Sequence, residues 1–140
     1  MQKAYYVFNK TRESFLGLGV SCADSPSGRL RALLGKLRIT QGGGLWLVPS
    51  RGIHTIGMRF PIDVIYLNAD HQVIHMVEHL RPFRFSPNYR DSSSLLGLPA
   101  HTIYASQTKL ADRLLICPPE EMETYLASAN RSTASTEAKG

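Results

Sequence analysis

The stretch DVIYLNADHQVIHMVEHL, Asp63 to Leu80, constrains the fold of this chain more than any other. Two apolar, β-branched runs flank NADHQ, a short polar connection of the kind that closes a hairpin. Strands joined this closely are antiparallel, because a parallel return needs a crossover of a dozen or more residues. The second run also fits helical spacing, at Val73, Met76, Val77 and Leu80, and periodicity alone does not separate the two readings over so few residues. Other β-prone runs recur at short intervals. YYVF (Tyr5 to Phe8) and SFLGLGV (Ser14 to Val20) lie either side of the turn-like NKTRE, and LWLV (Leu45 to Val48) stops at Pro49. LLGL (Leu95 to Leu98), TIYA (Thr102 to Ala105) and RLLIC (Arg113 to Cys117) read the same way.

Two segments have a helical period instead. After the capping pair Ser25 and Pro26, leucines 30, 33, 34 and 37 make one apolar stripe, with Gly35 near its end. Pro118 and Pro119 open the second segment, in which Met122, Tyr125, Leu126 and Ala129 form the stripe and Glu120 and Glu121 favour the positive end. The fold expected is α+β and mainly antiparallel β, small barrel-like or sandwich-like, with one helix near the N-terminal side and one C-terminal helix. Residues 1–127 read as a single globular domain, and 128–140, small and polar, as a frayed tail.

Composition excludes several classes. The chain has 140 residues, of which 43% are hydrophobic and 19% charged, enough to bury a core without staples. No apolar run approaches the roughly 18–20 residues a membrane-spanning helix needs. The opening MQKAYYVFNKTRES lacks an apolar segment of the signal-peptide kind, and Cys22 and Cys117 are too few for a disulfide framework, so a cytoplasmic setting is expected. The formal charge of +5 is a mild bias towards anionic partners.

Chemistry is harder to find. QGGG (Gln41 to Gly44) lacks the Gly-Lys-Ser/Thr ending of a phosphate loop. His75 and His79 would share one helix face, but on a strand they stand about 13 Å apart, too far to clasp one ion. The hairpin reading therefore removes a metal site there unless another strand supplies the partners, and no metal or cofactor is expected. Ser50, His54 and Asp63 include the residue types of a hydrolytic triad, without the elbow that presents its serine.

The series RLRALLGK, GLWLVPSRGIHTIGMRFPIDVIYLNADHQVIHMVEHLRP, LLGLPAHTI and ADRLLI resembles the domain-of-unknown-function family numbered 192, from about Phe15 to Cys117. Its most specific part is IHTIGMRFPID, which includes Met58, Pro61 and Asp63. The resemblance implies a compact, mostly β fold, favours the hairpin over the helix, and brings no established activity. Where the family usually reads leucine, glutamate, leucine, proline, alanine, glycine, this chain has Leu96, Gly97, Leu98, Pro99, Ala100 and His101. The motif's acid and its last glycine are thus replaced, around a turn shaped by Leu98 and Pro99.

As a strand, residues 53–58 would send His54, Ile56 and Met58 to one face, and Pro61 would bend the chain to bring Arg59 beside Asp63 as a bracing pair. The functional expectation is a non-catalytic binding module for a small polar or anionic ligand or a partner protein. Its pocket would use His54, Thr55 and Arg59 as donors and Trp46 or Phe60 as an apolar wall. The alternative is single-stranded nucleic acid, held by Arg81, Phe83, Arg84, Tyr89 and Arg90. That loop also reads as one folded over its own core, with rings buried and arginines outside, or as a lid. A third reading, a hydrolase or metal enzyme, needs His54 and Asp63 to converge.

Overall fold

In the computed structural model, which describes residues 4–23 and 43–139, seven strands form one sheet. They are β1 (Ala4–Asn9), β2 (Ser14–Ala23), β3 (Gly43–Leu47), β4 (Ile62–Leu67), β5 (Val73–Leu80), β6 (Ser94–Pro99) and β7 (Leu114–Cys117). Their spatial order is β5-β4-β6-β3-β2-β1-β7. Only β2 and β3 are parallel; every other neighbouring pair is antiparallel. The helix expected over 25–35 lies outside the described residues.

The sheet is open rather than a closed barrel. Its two edge strands, β5 and β7, come together only where they begin, at the isolated bridge between Gln72 and Arg113. There the Val73 amide donates to Asp112 at 2.8 Å and the Leu114 amide to His71 at 3.0 Å. Beyond that point β5 diverges from the segment preceding β7.

Burial explains why so much apolar sequence is spent on so few strands. One face carries Leu45, Leu47, Ile62, Val64, Tyr66 and Leu95, and Ile53 and Met58 from the segment between β3 and β4 pack onto it. The other carries Val7, Leu16, Val20, Ile65, Leu96 and Leu98, closed over by Ile103. Covered on both faces, β4 is buried at all six residues, so its sequence shows no clean alternation. β3 runs so close to β6 that a Cβ on Gly44 would lie 2.7 Å from Leu98 Cδ2 and 3.1 Å from the Gly97 carbonyl, so a side chain there would displace its neighbours. Gly43 and Gly44 thus belong to a strand and make no phosphate loop.

Three local expectations are corrected. Thr102 to Ala105 is a short helix, α1 (Thr102–Ser106), and not a strand. Only Ile103 and Ser106 of its residues are buried, one helical turn apart, and left-handed residues at His101 and Gln107 bound it on each side. Residues 53–58 do not form a strand either. They contain a tight turn in which the Met58 amide donates to the Thr55 carbonyl at 3.1 Å, with Gly57 at φ 88 where glycine is at home. Lastly, Arg59 does not brace Asp63: Arg59 is exposed, whereas Asp63 is buried and bonded to backbone amides.

The second helix, α2 (Pro119–Lys139), seats Met122 against Phe8 and Cys117, with Tyr125 and Leu126 beside them. Its helical backbone continues through 128–139, the stretch whose composition reads as a frayed tail.

Candidate functional site

The segment from Arg51 to Thr55 is stitched to the long irregular connection between β5 and β6. The Tyr89 amide donates to Arg51 at 3.0 Å, Ser86 to Ile53 at 2.8 Å, Thr55 to Arg84 at 2.8 Å and Phe83 to Thr55 at 2.9 Å. The Ser86 hydroxyl accepts the Ile53 amide at 2.8 Å. This ribbon sets His54 opposite Phe85 in an isolated bridge, their ring centroids 6.0 Å apart. Beside them opens a concavity of ≈ 380 Å³, floored by Ile53 and rimmed by Arg51, His54, Phe85 and Asn88. The Ile56 amide lies 3.4 Å from His54 Nδ1, which leaves Nε2 as the ring's other polar atom.

The residues expected in the pocket therefore separate. His54 lines it. Thr55 is buried, and its hydroxyl is used up: it donates to Arg81 O at 2.6 Å and accepts the Arg84 amide at 2.9 Å. Arg59 is exposed and does not line the concavity. Trp46 projects to the opposite face of the sheet, where its ring meets the edges of Tyr5 and His71 at 5.8 and 5.4 Å. Phe60 packs against the core. The apolar wall is Phe85, and the cation is Arg51. Phe85 carries no sequence signal, because what brings it to His54 is the pairing of two irregular segments about 30 residues apart in the chain, whereas Arg51 lies on the same segment as His54.

The long loop divides in the same way. Tyr89 stacks flat on His75, centroids 3.5 Å apart and planes 9° apart, and its ring packs onto the core. His75 Nε2 in turn meets Asp91 Oδ1 at 3.2 Å. Phe83 and Phe85, by contrast, are 61% and 73% exposed, against the expectation that the loop's rings turn inward. Arg81, Arg84 and Arg90 are exposed as well.

Asp63 belongs to the other side of the sheet. It is 1% exposed, and its oxygens accept the amides of His79 and Ile103, both at 2.9 Å. The structure thus does not bring Asp63 and His54 together, and Ser50 donates to the nearby Gly52 carbonyl. Among the described residues no group of three or more His, Cys, Asp or Glu side chains is placed to hold a metal ion. Burial, with Glu121 and Glu120 nearby, pushes the Cys117 thiol above its usual range, which disfavours the nucleophilic thiolate.

An open, mostly antiparallel seven-stranded α+β sheet with a groove beside it is the class of domain these features define. The family model described as an uncharacterized ACR, domain-of-unknown-function family 192, matches residues 7–116, and the chain belongs to that family. A comparison with curated proteins found no match. Two solved structures share the fold. One, from Sinorhizobium meliloti 1021, is described as a candidate transcription regulator. It is 18% identical at a TM-score of 0.67, with 83% of this chain and 94% of that one covered. The other is a protein of unknown function from Novosphingobium aromaticivorans DSM 12444, 13% identical at a TM-score of 0.66, covering 80% and 83%. No helix among the described residues is long and apolar enough to cross a membrane.

Proposed function

We infer that this domain is a non-catalytic binding module for a small polar or anionic ligand, held in the groove beside His54. The observation that carries the reading is the convergence of a cationic side chain, Arg51, an imidazole, His54, and an exposed ring, Phe85, on one concavity that a backbone ladder preforms. A pocket with an apolar wall and a few polar groups on a rigid frame is the usual form of a ligand site. The residues at the groove offer donors and a stacking surface, and the hydroxyl of Ser86, which also lines it, is engaged by the backbone, accepting the Ile53 amide at 2.8 Å.

Calorimetric titration with a panel of small phosphates and carboxylates tests it. Saturable binding is expected, weakened about tenfold by Arg51→Ala, the order of one charge-assisted hydrogen bond. Binding that Arg51→Ala and His54→Ala both leave unchanged would sink the proposal.

A second reading has its own support. Phe83 and Phe85 stand exposed among Arg81 and Arg84, which is the arrangement of a stacking platform in a basic field. The description of the Sinorhizobium protein points the same way, although at 18% identity that likeness carries only the fold. Phe83 does not line the groove, so Phe83→Ala separates the readings. Nucleic-acid binding predicts a salt-sensitive rise in anisotropy of a labelled thymidine oligonucleotide that Phe83→Ala reduces about tenfold. No rise at low salt would eliminate this reading.

A further inference from the structure

On the far side of the sheet, a groove of ≈ 580 Å³ runs between the free edge of β5 and the segment from α1 to Lys109. It shares no residue with the His54 groove. Met76 and Ile103, both part of the apolar cluster on this face, lie in it, and Tyr104, 81% exposed, stands at its edge. Glu78 contributes a carboxylate from the strand side, and Lys109 an ammonium from the opposite side. The ion pairs found among the described residues are Arg12–Asp112 and His75–Asp91, so neither Glu78 nor Lys109 is neutralised by one.

Both walls are built rather than incidental. The buried Asp63 carboxylate spans them: one oxygen takes the amide of His79, next to Glu78, and the other takes the amide of Ile103 at the start of the α1 wall. The Lys109 amide donates to the buried Asp112 carboxylate at 2.9 Å, and Thr108 Oγ1 accepts from Asn9 at 3.1 Å. The backbone that carries the ammonium is thus fixed while its side chain remains in solvent. Charges of opposite sign on facing walls, above an apolar floor, complement a molecule that carries both charges and a hydrocarbon side chain.

We propose that the groove between β5 and α1 is a second binding site, for a zwitterionic ligand of the free α-amino-acid class. Glu78 meets the ligand's ammonium, Lys109 its carboxylate, and Met76, Ile103 and Tyr104 its side chain. Asp63 is a positioning residue, since it touches the walls and not the ligand.

The test uses L-leucine as the probe and N-acetyl-L-leucine amide, which lacks both charges, as its control. Leucine is expected to shift the amide resonances of Ala105, Gln107, Thr108 and Lys109 saturably at millimolar concentration, and the neutral derivative to leave them in place. Glu78→Gln and Lys109→Gln, both at exposed positions that leave folding intact, should each weaken leucine binding about tenfold. The absence of leucine-dependent shifts overturns the proposal, as does equal binding of the neutral derivative or undiminished binding in both variants. Because the two grooves share no residue, such a failure leaves the reading of the His54 groove intact.

Discussion

Single residues show how the same side-chain chemistry is assigned to structure in one place and to a surface in another. Thr55 is a donor by type, but its hydroxyl closes the turn between the motif and the β5–β6 connection. Thr55→Val, which keeps the shape and removes the oxygen, is expected to cost about 2 kcal/mol in a urea titration, because the Arg84 amide and the Arg81 carbonyl lose their partner together. An unchanged midpoint would contradict that role. His101 makes the opposite case. The resemblance places glycine at this position, and the backbone there has φ 76 and ψ 0, a left-handed conformation that costs a side chain. His101→Gly should therefore stabilise the fold by about 1 kcal/mol, raising the melting temperature by about 3 °C. Gly97, where the resemblance places an acid, points its missing Cβ at Ile62 Cδ1, 3.7 Å away, so a side chain at this position would enter the face that Met58 and Ile53 cover.

Between elements, two buried carboxylates act as clamps. Asp63 holds the end of β5, at the His79 amide, and the start of α1, at the Ile103 amide. An amide group in its place presents one donor to a donor, so Asp63→Asn is expected to cost about 2–3 kcal/mol by denaturant unfolding. Asp112 joins Asn9, Arg12 and the Lys109 amide. Burial pushes its carboxyl up, but the hydrogen bonds from Asn9 and Lys109, with the Arg12 guanidinium, outweigh that and hold it below the usual carboxylate range. A depressed folded value means that this stabilisation is fully present above the unfolded carboxylate range and is lost as pH falls through the folded one. The stability gap between wild type and Asp112→Asn should therefore be widest at neutral pH and close as pH falls through the usual carboxylate range and below it. A gap that stays constant across that window would rule out the assignment.

The elements also show what the sequence makes legible. The β4–β5 hairpin can be read directly because turn residues and β-branched runs coincide, and the β1–β2 hairpin for the same reason. α1 is missed because five residues are too few to display a period, and Thr and Ile favour strands. Residues 53–58 are misread because their apolar side chains pack from a turn, a burial pattern that alternation cannot distinguish from a strand. Of the candidate site only His54 is anticipated. Phe85 reaches it through backbone pairing between irregular segments, which leaves no periodic trace, and Arg51, three residues before His54, sits in a segment with no regular period to place its side chain.

Across the whole molecule, an open sheet covered on both faces leaves its irregular connections to make the surfaces available for binding. The connection between β3 and β4 and the one between β5 and β6 pack onto one face and form the His54 groove between them. Whether this groove receives anionic ligands is read most directly by amide chemical-shift mapping during a citrate titration. Saturable shifts are expected, concentrated at residues 51–54 and 85–88 and lost in Arg51→Ala. Shifts confined to the exposed arginines elsewhere, or none at all, would contradict binding in the groove.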